Sequence, residues 1–280
     1  MALVEGLRAA GAGAEAAPVA DGGDGTLDVL RGVLDGERGD GWLLLADGVA
    51  AVESAAVIGL GFERDVMRAS SRALGELIRD VVKAGPRELI VFLGGTGTVD
   101  GGAGMLEVLD QLPVPTRAAC DVRSPLLDAV WVFAQQKGAT PEQLPELERR
   151  LLEDARLEPY RDLPGAGAAG GLGAALASLG AQLVEGAPLV LELIGFRDRL
   201  AGVELVITGE GTVDRSTWLG KAPSAVLEAA PTARCVLFGG RVLDRRAGVE
   251  IYELSGDPAR ARDDLVELGV TAATTTGRTA

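Results

Sequence analysis

Histidine is absent from the 280 residues. That absence excludes Ser-His-Asp and Cys-His nucleophiles, histidine-ligated metals and imidazole acid–base work. The two cysteines, Cys120 and Cys235, are too few for a four-cysteine zinc site or a multi-bridge secreted scaffold. Lysine is scarce: only Lys83, Lys137 and Lys221 stand among the 27 basic residues. Aromatics make up 4% of the chain, with two tyrosines. Chemistry must therefore rest on Asp, Glu, Lys, Arg, Ser, Thr, backbone amides and bound ions.

Runs of positive charge are also missing. Asp plus Glu is 41 against 27 basic residues, a net charge of −14. Such a chain is repelled by nucleic acid and anionic membranes, so neither is expected as a partner. Residues 163–184 carry no charge, but Pro164, Gly165, Gly167, Gly170, Gly171, Gly173 and Gly180 interrupt them. A stretch that glycine-dense reads as a loop feeding a small-residue helix rather than a membrane span. Residues 1–8 contain Glu5 and no apolar export core. With few cysteines, the expected location is the cytoplasm.

What is present is an alternation of strands and helices. Helices are expected over 25–34, 70–84, 141–152, 172–183 and 259–268. Strands are expected over 42–46 and 49–54 around an Asp47-Gly48 turn, and over 88–93, 203–208 and 235–238. The tail 271–280 is expected to fray. Buried strands between helices predict an α/β fold with a mainly parallel sheet. The hairpin near Trp42 and the Pro-rich segment 112–116 do not fit that sheet and suggest a smaller second lobe. We accordingly expect a discontinuous Rossmann-like lobe over 1–35, 70–112 and 190–280, and an inserted mixed lobe over 36–69 and 113–189.

The candidate chemistry lies where strands meet glycine and acid. The run 88–93 leads into Gly94-Gly95-Thr96-Gly97-Thr98-Val99-Asp100, and the run 203–208 into Gly209-Glu210-Gly211-Thr212-Val213-Asp214. Both contain Gly-Thr-Val-Asp. A third loop, Asp21-Gly22-Gly23-Asp24-Gly25-Thr26, precedes a helix. Ligands of open parallel sheets bind beyond the carboxyl ends of the strands. Glycines there aim backbone N–H groups at anions, and helix N-termini favour phosphate. Asp21, Asp24, Asp100, Glu210 and Asp214 are hard oxygen donors suited to Mg²⁺ or to base work on a hydroxyl. Together these parts describe phosphoryl transfer. Each aspartate has a plainer reading as a helix cap.

Named nucleotide motifs do not apply. No Gly-x4-Gly-Lys-Ser/Thr occurs. The segment 165–170 has dinucleotide spacing but follows Arg161-Asp162-Leu163-Pro164, not a buried strand. Lys137 and Lys221, each beside a glycine, suit phosphate; otherwise they are surface charges. Lys83 suits a helix end. Arg72 and Arg123 could hold a carboxylate bidentately.

The segments VADGGDGT, LGGTGTVDGGAGM, ACDVRSPLL, FAQQKGATPEQ, PGAGAAGGLGAAL and LVITGEGTVDRSTWLGKAP resemble, in order, the signature segments of bacterial glycerate 2-kinases. The resemblance implies two interleaved α/β lobes with the active site in the cleft between them. It also implies ATP and Mg²⁺ as cofactors, and phosphorylation of D-glycerate, usually to 2-phosphoglycerate. On that reading Asp100, Asp214 and Lys221 are catalytic, and Asp24, Asp100 and Asp214 hold metal. Asp21, Gly22, Gly23, Asp24, Arg72, Gly94, Gly95, Thr96, Lys137, Gly209, Glu210 and Gly211 bind substrate or ATP. The expected partners are glycerate and ATP, with a homodimer left open.

The chain departs from the family pattern. The family usually has a strand and an Asp-Ser-Phe-Lys-Gly-like loop ahead of the helix that here starts near Met1. An upstream start or a shortened protein would each account for the difference. The regions 42–61 and 105–117 are short, Val99 stands where Asn is common, and Ala134 where Pro is common. These departures keep two alternatives in view: a homologue that has lost catalysis and acts in binding or regulation, and a kinase of another small hydroxy acid.

Overall fold

The short apolar runs form the interior of a sheet. The computed structural model describes residues 1–63 and 65–276. Six strands, β1 Gly36–Gly39, β2 Trp42–Leu45, β3 Val49–Glu53, β4 Glu88–Phe92, β5 Thr116–Cys120 and β6 Gln182–Glu185, pair in that order. The pairs β1–β2 and β2–β3 are antiparallel; β3–β4, β4–β5 and β5–β6 are parallel. Every residue of β3 is buried, as are Leu89, Ile90, Val91 and Phe92 of β4. A strand covered on both faces has no polar alternation, which is why 88–93 is continuously apolar.

Helices cover this sheet with one apolar face each. Helix Arg72–Val81 buries Leu74, Ile78 and Val81 at i, i+4 and i+7 spacing. Each such side chain contributes roughly 1.5–3 kcal/mol when fully removed from water. Gly85, at φ +68°, then reverses the chain into β4, a turn that a Cβ would strain. Helix Ala168–Ser178 is made almost wholly of Ala, Gly and Leu, and all but its last residue is buried. Small side chains let it lie close to its neighbours.

A separate three-stranded parallel sheet joins β7 Leu205–Val213, β8 Arg234–Val242 and β9 Glu250–Glu253. It lies in a compact unit formed by Met1–Pro18 and the chain from Leu191 onward; Val19–Val190 forms the other. In the split unit, helix Ala2–Ala9 lies against helix Ala261–Thr276. A Cβ on Gly6 would sit 2.1 Å from the Val266 carbonyl oxygen, so that contact needs glycine. Glu5 also pairs with Arg262 at 2.7 Å.

Several expectations change. The Trp42 hairpin is not outside the main sheet: β3 lies directly beside β4, and β5 follows on the other side. Residues that sequence reading divided between two lobes therefore share one sheet. Once β3 is parallel to β4, the hairpin simply extends the edge. The helix expected over 172–183 does run on from Leu172, after a kink of left-handed residues at 169–171 within the segment Ala168–Ser178, but it stops at Ser178 and yields to β6, where Gln182–Glu185 find partners on β5. The strands expected to end at 208 and 238 run on to Val213 and Val242. Their glycines pair across the ladder, and the Phe238 ring fills the space over Gly209 that a Cβ would occupy. Helix also continues through the segment expected to fray, to Thr276; residues 277–280 lie outside the described residues.

Candidate functional site

In the Val19–Val190 unit, three glycine-rich loops meet at the carboxyl ends of the parallel strands. Loop 21–25 follows residues 13–20, which form neither helix nor strand, and opens helix Thr26–Val33. It lies on the loop after β4: the Gly94 N–H donates to the Gly22 carbonyl at 3.1 Å. A methyl on Gly94 would stand 2.4 Å from the Gly23 Cα and 2.8 Å from Asp121 Oδ2. Gly95 has φ +77°, and its methyl would stand 2.8 Å from the Asp24 Cβ. Only glycine allows that approach. The third loop, 165–171, packs on the far side of the second: the Gly101 N–H donates to the Gly170 carbonyl at 3.0 Å, and Ala169 is held at φ +53°.

Lys137 enters this junction from the short turn Gln135–Lys137, closed by Gly138 at φ +99°. Its Nζ donates to Thr96 Oγ1 at 3.2 Å and to the Thr98 carbonyl at 3.0 Å. Burial lowers its pKa to about 8, against the opposing pull of Asp121 and Asp100. The cation is therefore present at neutral pH and is lost as pH rises through about 8. Thr98 is 3% exposed, and its hydroxyl has no hydrogen-bond partner among the described residues.

The acids divide by what they already hold. Asp100 accepts from the Ser71 N–H at 2.7 Å, the Ser71 hydroxyl at 2.8 Å, the Gly102 N–H at 3.1 Å and the Gly104 N–H at 3.2 Å. Those four donors occupy both oxygens and tie the start of helix Ala103–Leu106 to Ser71. Asp21 Oδ1 accepts the N–H of Gly23 within its own loop. Glu53, at the end of β3, accepts the N–H groups of Gly25 at 2.6 Å and Leu27 at 2.8 Å. Burial and the neighbouring Asp24 push Glu53 up, and the two N–H donors oppose them. Glu53 thus anchors loop 21–25 as a positioning residue. Arg72 is half exposed and pairs with Glu76 and Glu107 on the surface, so both its partners are acids of its own neighbourhood. Arg123 likewise pairs with Glu185.

Asp121 and Glu53 escaped the sequence reading, as did Ser71. Asp121 follows β5 directly, so the rule that picked out Gly94 and Gly209 applied to it as well. The prolines before β5 had set that segment outside the main sheet. Burial, then the neighbouring Asp21 charge, push the Asp121 carboxyl up, while its own backbone N–H and then Lys137 hold it down. Cys120 beside it is buried and pushed up to about 12, so it is an inert thiol.

The other unit carries a second, smaller cluster. Lys221 Nζ donates to Glu210 Oε2 at 3.0 Å, and the Thr217 hydroxyl donates to Glu210 Oε1. Asp214 caps the turn Arg215–Trp218, accepting from the Ser216 hydroxyl and N–H, which lower its pKa. Gly209 and Gly211 are strand residues here rather than loop residues. Asp24 and Asp100 lie in one unit and Asp214 in the other. Among the described residues no three His, Cys, Asp or Glu side chains converge as a metal cage.

Nor is any helix among the described residues long and apolar enough to cross a membrane. The family model described as the glycerate kinase family matches residues 1–112 and 110–257. A glycerate kinase of Halalkalibacterium halodurans is 31% identical, over 91% of this chain and 80% of its own length. The Escherichia coli K12 glycerate 2-kinase is 33% identical over 76% and 72% respectively. The Bacillus subtilis glycerate kinase is 34% identical over 79% and 74%. A crystal structure from Salmonella typhimurium LT2, provisionally described as a glycerate kinase 2, superposes with a TM-score of 0.76 at 29% identity. That match covers 99% of this chain and 92% of the other. With glycine loops on parallel strand ends and a lysine at their junction, the chain is a kinase and belongs to the glycerate kinase family.

Proposed function

We propose that this kinase transfers the terminal phosphoryl group of ATP to D-glycerate, giving 2-phosphoglycerate. The observation that carries the reading is Lys137, held by Thr96 and Thr98 where three glycine loops meet. Phosphoryl transfer needs positioning and charge neutralisation more than covalent chemistry. A fixed ammonium beside close-approach backbone supplies both in an otherwise acidic chain. The relatives named glycerate kinase and glycerate 2-kinase supply the acceptor in this reading.

Gly94, Gly95 and Thr96, with Gly22 and Gly23, form the phosphate-facing backbone in this assignment, and Lys137 the cationic contact. Asp100 and Glu53 position those loops. Lys221, held by Glu210, is a second candidate phosphate contact within its own unit. Mg²⁺ is carried with the nucleotide. Magnesium keeps several waters and takes only one or two protein carboxylates, so a three-acid cage is not required. The exposed Asp24 is the residue we assign to it. Bound there, the ion would neutralise phosphate charge. Two free cysteines and an ATP-dependent reaction suit a cytoplasmic enzyme.

The test is an ADP-release assay on the 280-residue chain with Mg-ATP and D-glycerate, with L-glycerate as control. Turnover with the D form and product consumption by enolase, which takes the 2-phosphate, are the expected results. Turnover with other 2-hydroxy acids but not glycerate would reassign the acceptor. Silence from folded protein would favour the non-catalytic alternative.

A further inference from the structure

Phosphorylating a hydroxyl requires that its proton leave as the oxygen bonds phosphorus. A carboxylate takes that proton more readily when few hydrogen bonds already stabilise its charged form. In the Val19–Val190 unit the acids near the glycine loops differ sharply on this point. Asp100 is committed to four donors and Glu53 to two backbone N–H groups. Asp21 Oδ1 holds its own loop. The Asp121 carboxylate accepts from its own backbone N–H, and among the described residues no other residue donates to it. Asp24, likewise without an N–H donor among the described residues, is the exposed acid assigned above to magnesium.

Its position is equally specific. Asp121 is the first residue beyond β5, which lies between β4 and β6 in the parallel part of the sheet. Its Oδ2 stands 2.8 Å from where a Gly94 methyl would be, against the junction of the two loops that we assign to phosphate. The Lys137 ammonium lies near enough to act on it electrostatically. Lys137 itself is spent on Thr96 and Thr98 and is the cation rather than the base.

We infer that Asp121 is the general base for the acceptor hydroxyl. This rests on the kinase reading above. The Asp121 carboxylate takes the hydroxyl proton while the acceptor oxygen forms its bond to the γ-phosphorus of ATP. The bond from that phosphorus to the β,γ-bridging oxygen breaks, and its electron pair leaves with ADP. The proton then passes from Asp121 to solvent. Partial burial beside Asp21 raises the basicity of the carboxylate, the direction that favours a proton acceptor. The titratable groups facing it are Asp21 from loop 21–25, Lys137 from the turn 135–137 and Cys120 on its own strand.

The experiment is steady-state kinetics of the full chain as Asp121→Asn and as Asp121→Ala with and without added formate. For Asp121→Asn we expect kcat to fall about 10³-fold, within the usual range for loss of a general base, with the KM for ATP within about threefold of the parent. The acid limb of the kcat–pH profile should vanish with it. Formate should restore the Asp121→Ala rate at least about tenfold, a rescue that a merely structural role would not give. An Asp121→Asn enzyme within tenfold of the parent kcat would overturn the assignment. So would an Asp121→Ala residual rate that keeps the parent acid limb. Parent protein that releases no ADP with any hydroxy acid would instead overturn the kinase reading and this assignment together.

Discussion

The tetrapeptide Gly-Thr-Val-Asp occurs twice, at 97–100 and 211–214, and the two copies fold differently. In the first, the chain has left β4 and runs as a loop. The Gly97 N–H donates to the Ile58 carbonyl at 2.8 Å, Thr98 is buried, and Asp100 gathers four donors. In the second, Gly211 to Val213 are the last residues of β7, and Asp214 caps a single turn. Only Val99 and Val213 keep the same role, each at most 1% exposed. The comparison teaches that a strand-then-acid motif fixes where polarity begins, while the neighbouring segment decides whether that polarity becomes a loop scaffold or a cap. The first copy has two further glycine loops against it. The second has the parallel ladder of β8 beside it and, in place of glycine loops, the turn and helix that follow it.

The largest effect that would break this comparison is catalytic. Loss of the Asp121 base should cost about 10³ in kcat, whereas Asp214→Asn should leave kcat within about tenfold, because Asp214 already holds the Ser216 donors. Parallel kinetics of the two variants would check this, and equal losses would return Asp214 to the chemistry.

Next comes stability. Asp100→Ala leaves the N–H groups of Ser71, Gly102 and Gly104 without their acceptor, and we expect a loss of about 3 kcal/mol in urea unfolding. Asp214→Ala removes one cap on a four-residue turn and should be distinctly milder. Equal losses would show that the two copies are equivalent after all.

A smaller contrast tests the glycines directly. A methyl on Gly97 would stand 3.0 Å from the Gly59 carbonyl oxygen, while one on Gly211 meets nothing within 4 Å. Gly97→Ala should cost about 1–2 kcal/mol, whereas Gly211→Ala should stay within about 0.5 kcal/mol of the parent. Thermal unfolding of both would settle it.

The subtlest expectation is in pH. The Lys137 pKa is lowered to about 8 in the folded protein, so its charge is lost as pH rises through that value. The kcat/KM for ATP should therefore decline above about pH 8, and Lys137→Arg, charged throughout, should lose that alkaline limb. The linkage has the matching sign. A lysine whose folded pKa lies below its unfolded value costs stability while charged, and the cost is relieved as pH rises from about 8 toward 10.5. Relative to Lys137→Met, the parent should gain stability over that window, and unfolding at pH 7 and pH 10 would measure it.

The sequence by itself determined a good deal. Missing histidine and scarce cysteine confined the chemistry to carboxylates, lysine and backbone. Uninterrupted apolar runs announced buried parallel strands, and the Asp47-Gly48 turn announced its hairpin. Glycine beside acid marked loops 21–25 and 94–100, because backbone that must approach backbone within van der Waals distance admits no Cβ. Those signals are local, and each is carried by residues adjacent in the chain.

Tertiary structure alone decided the rest. Whether β3 and β5 flank β4 depends on pairing between segments tens of residues apart, and that pairing placed Glu53 and Asp121 beside the glycine loops. Whether Gly209 to Val213 form loop or strand depended on the presence of β8. Which aspartate is free to act depended on which donors reached it: Ser71 and two glycine N–H groups took Asp100, while among the described residues Asp121 holds only its own backbone N–H. An acid's availability is a property of its neighbours in space, and a linear motif does not contain them.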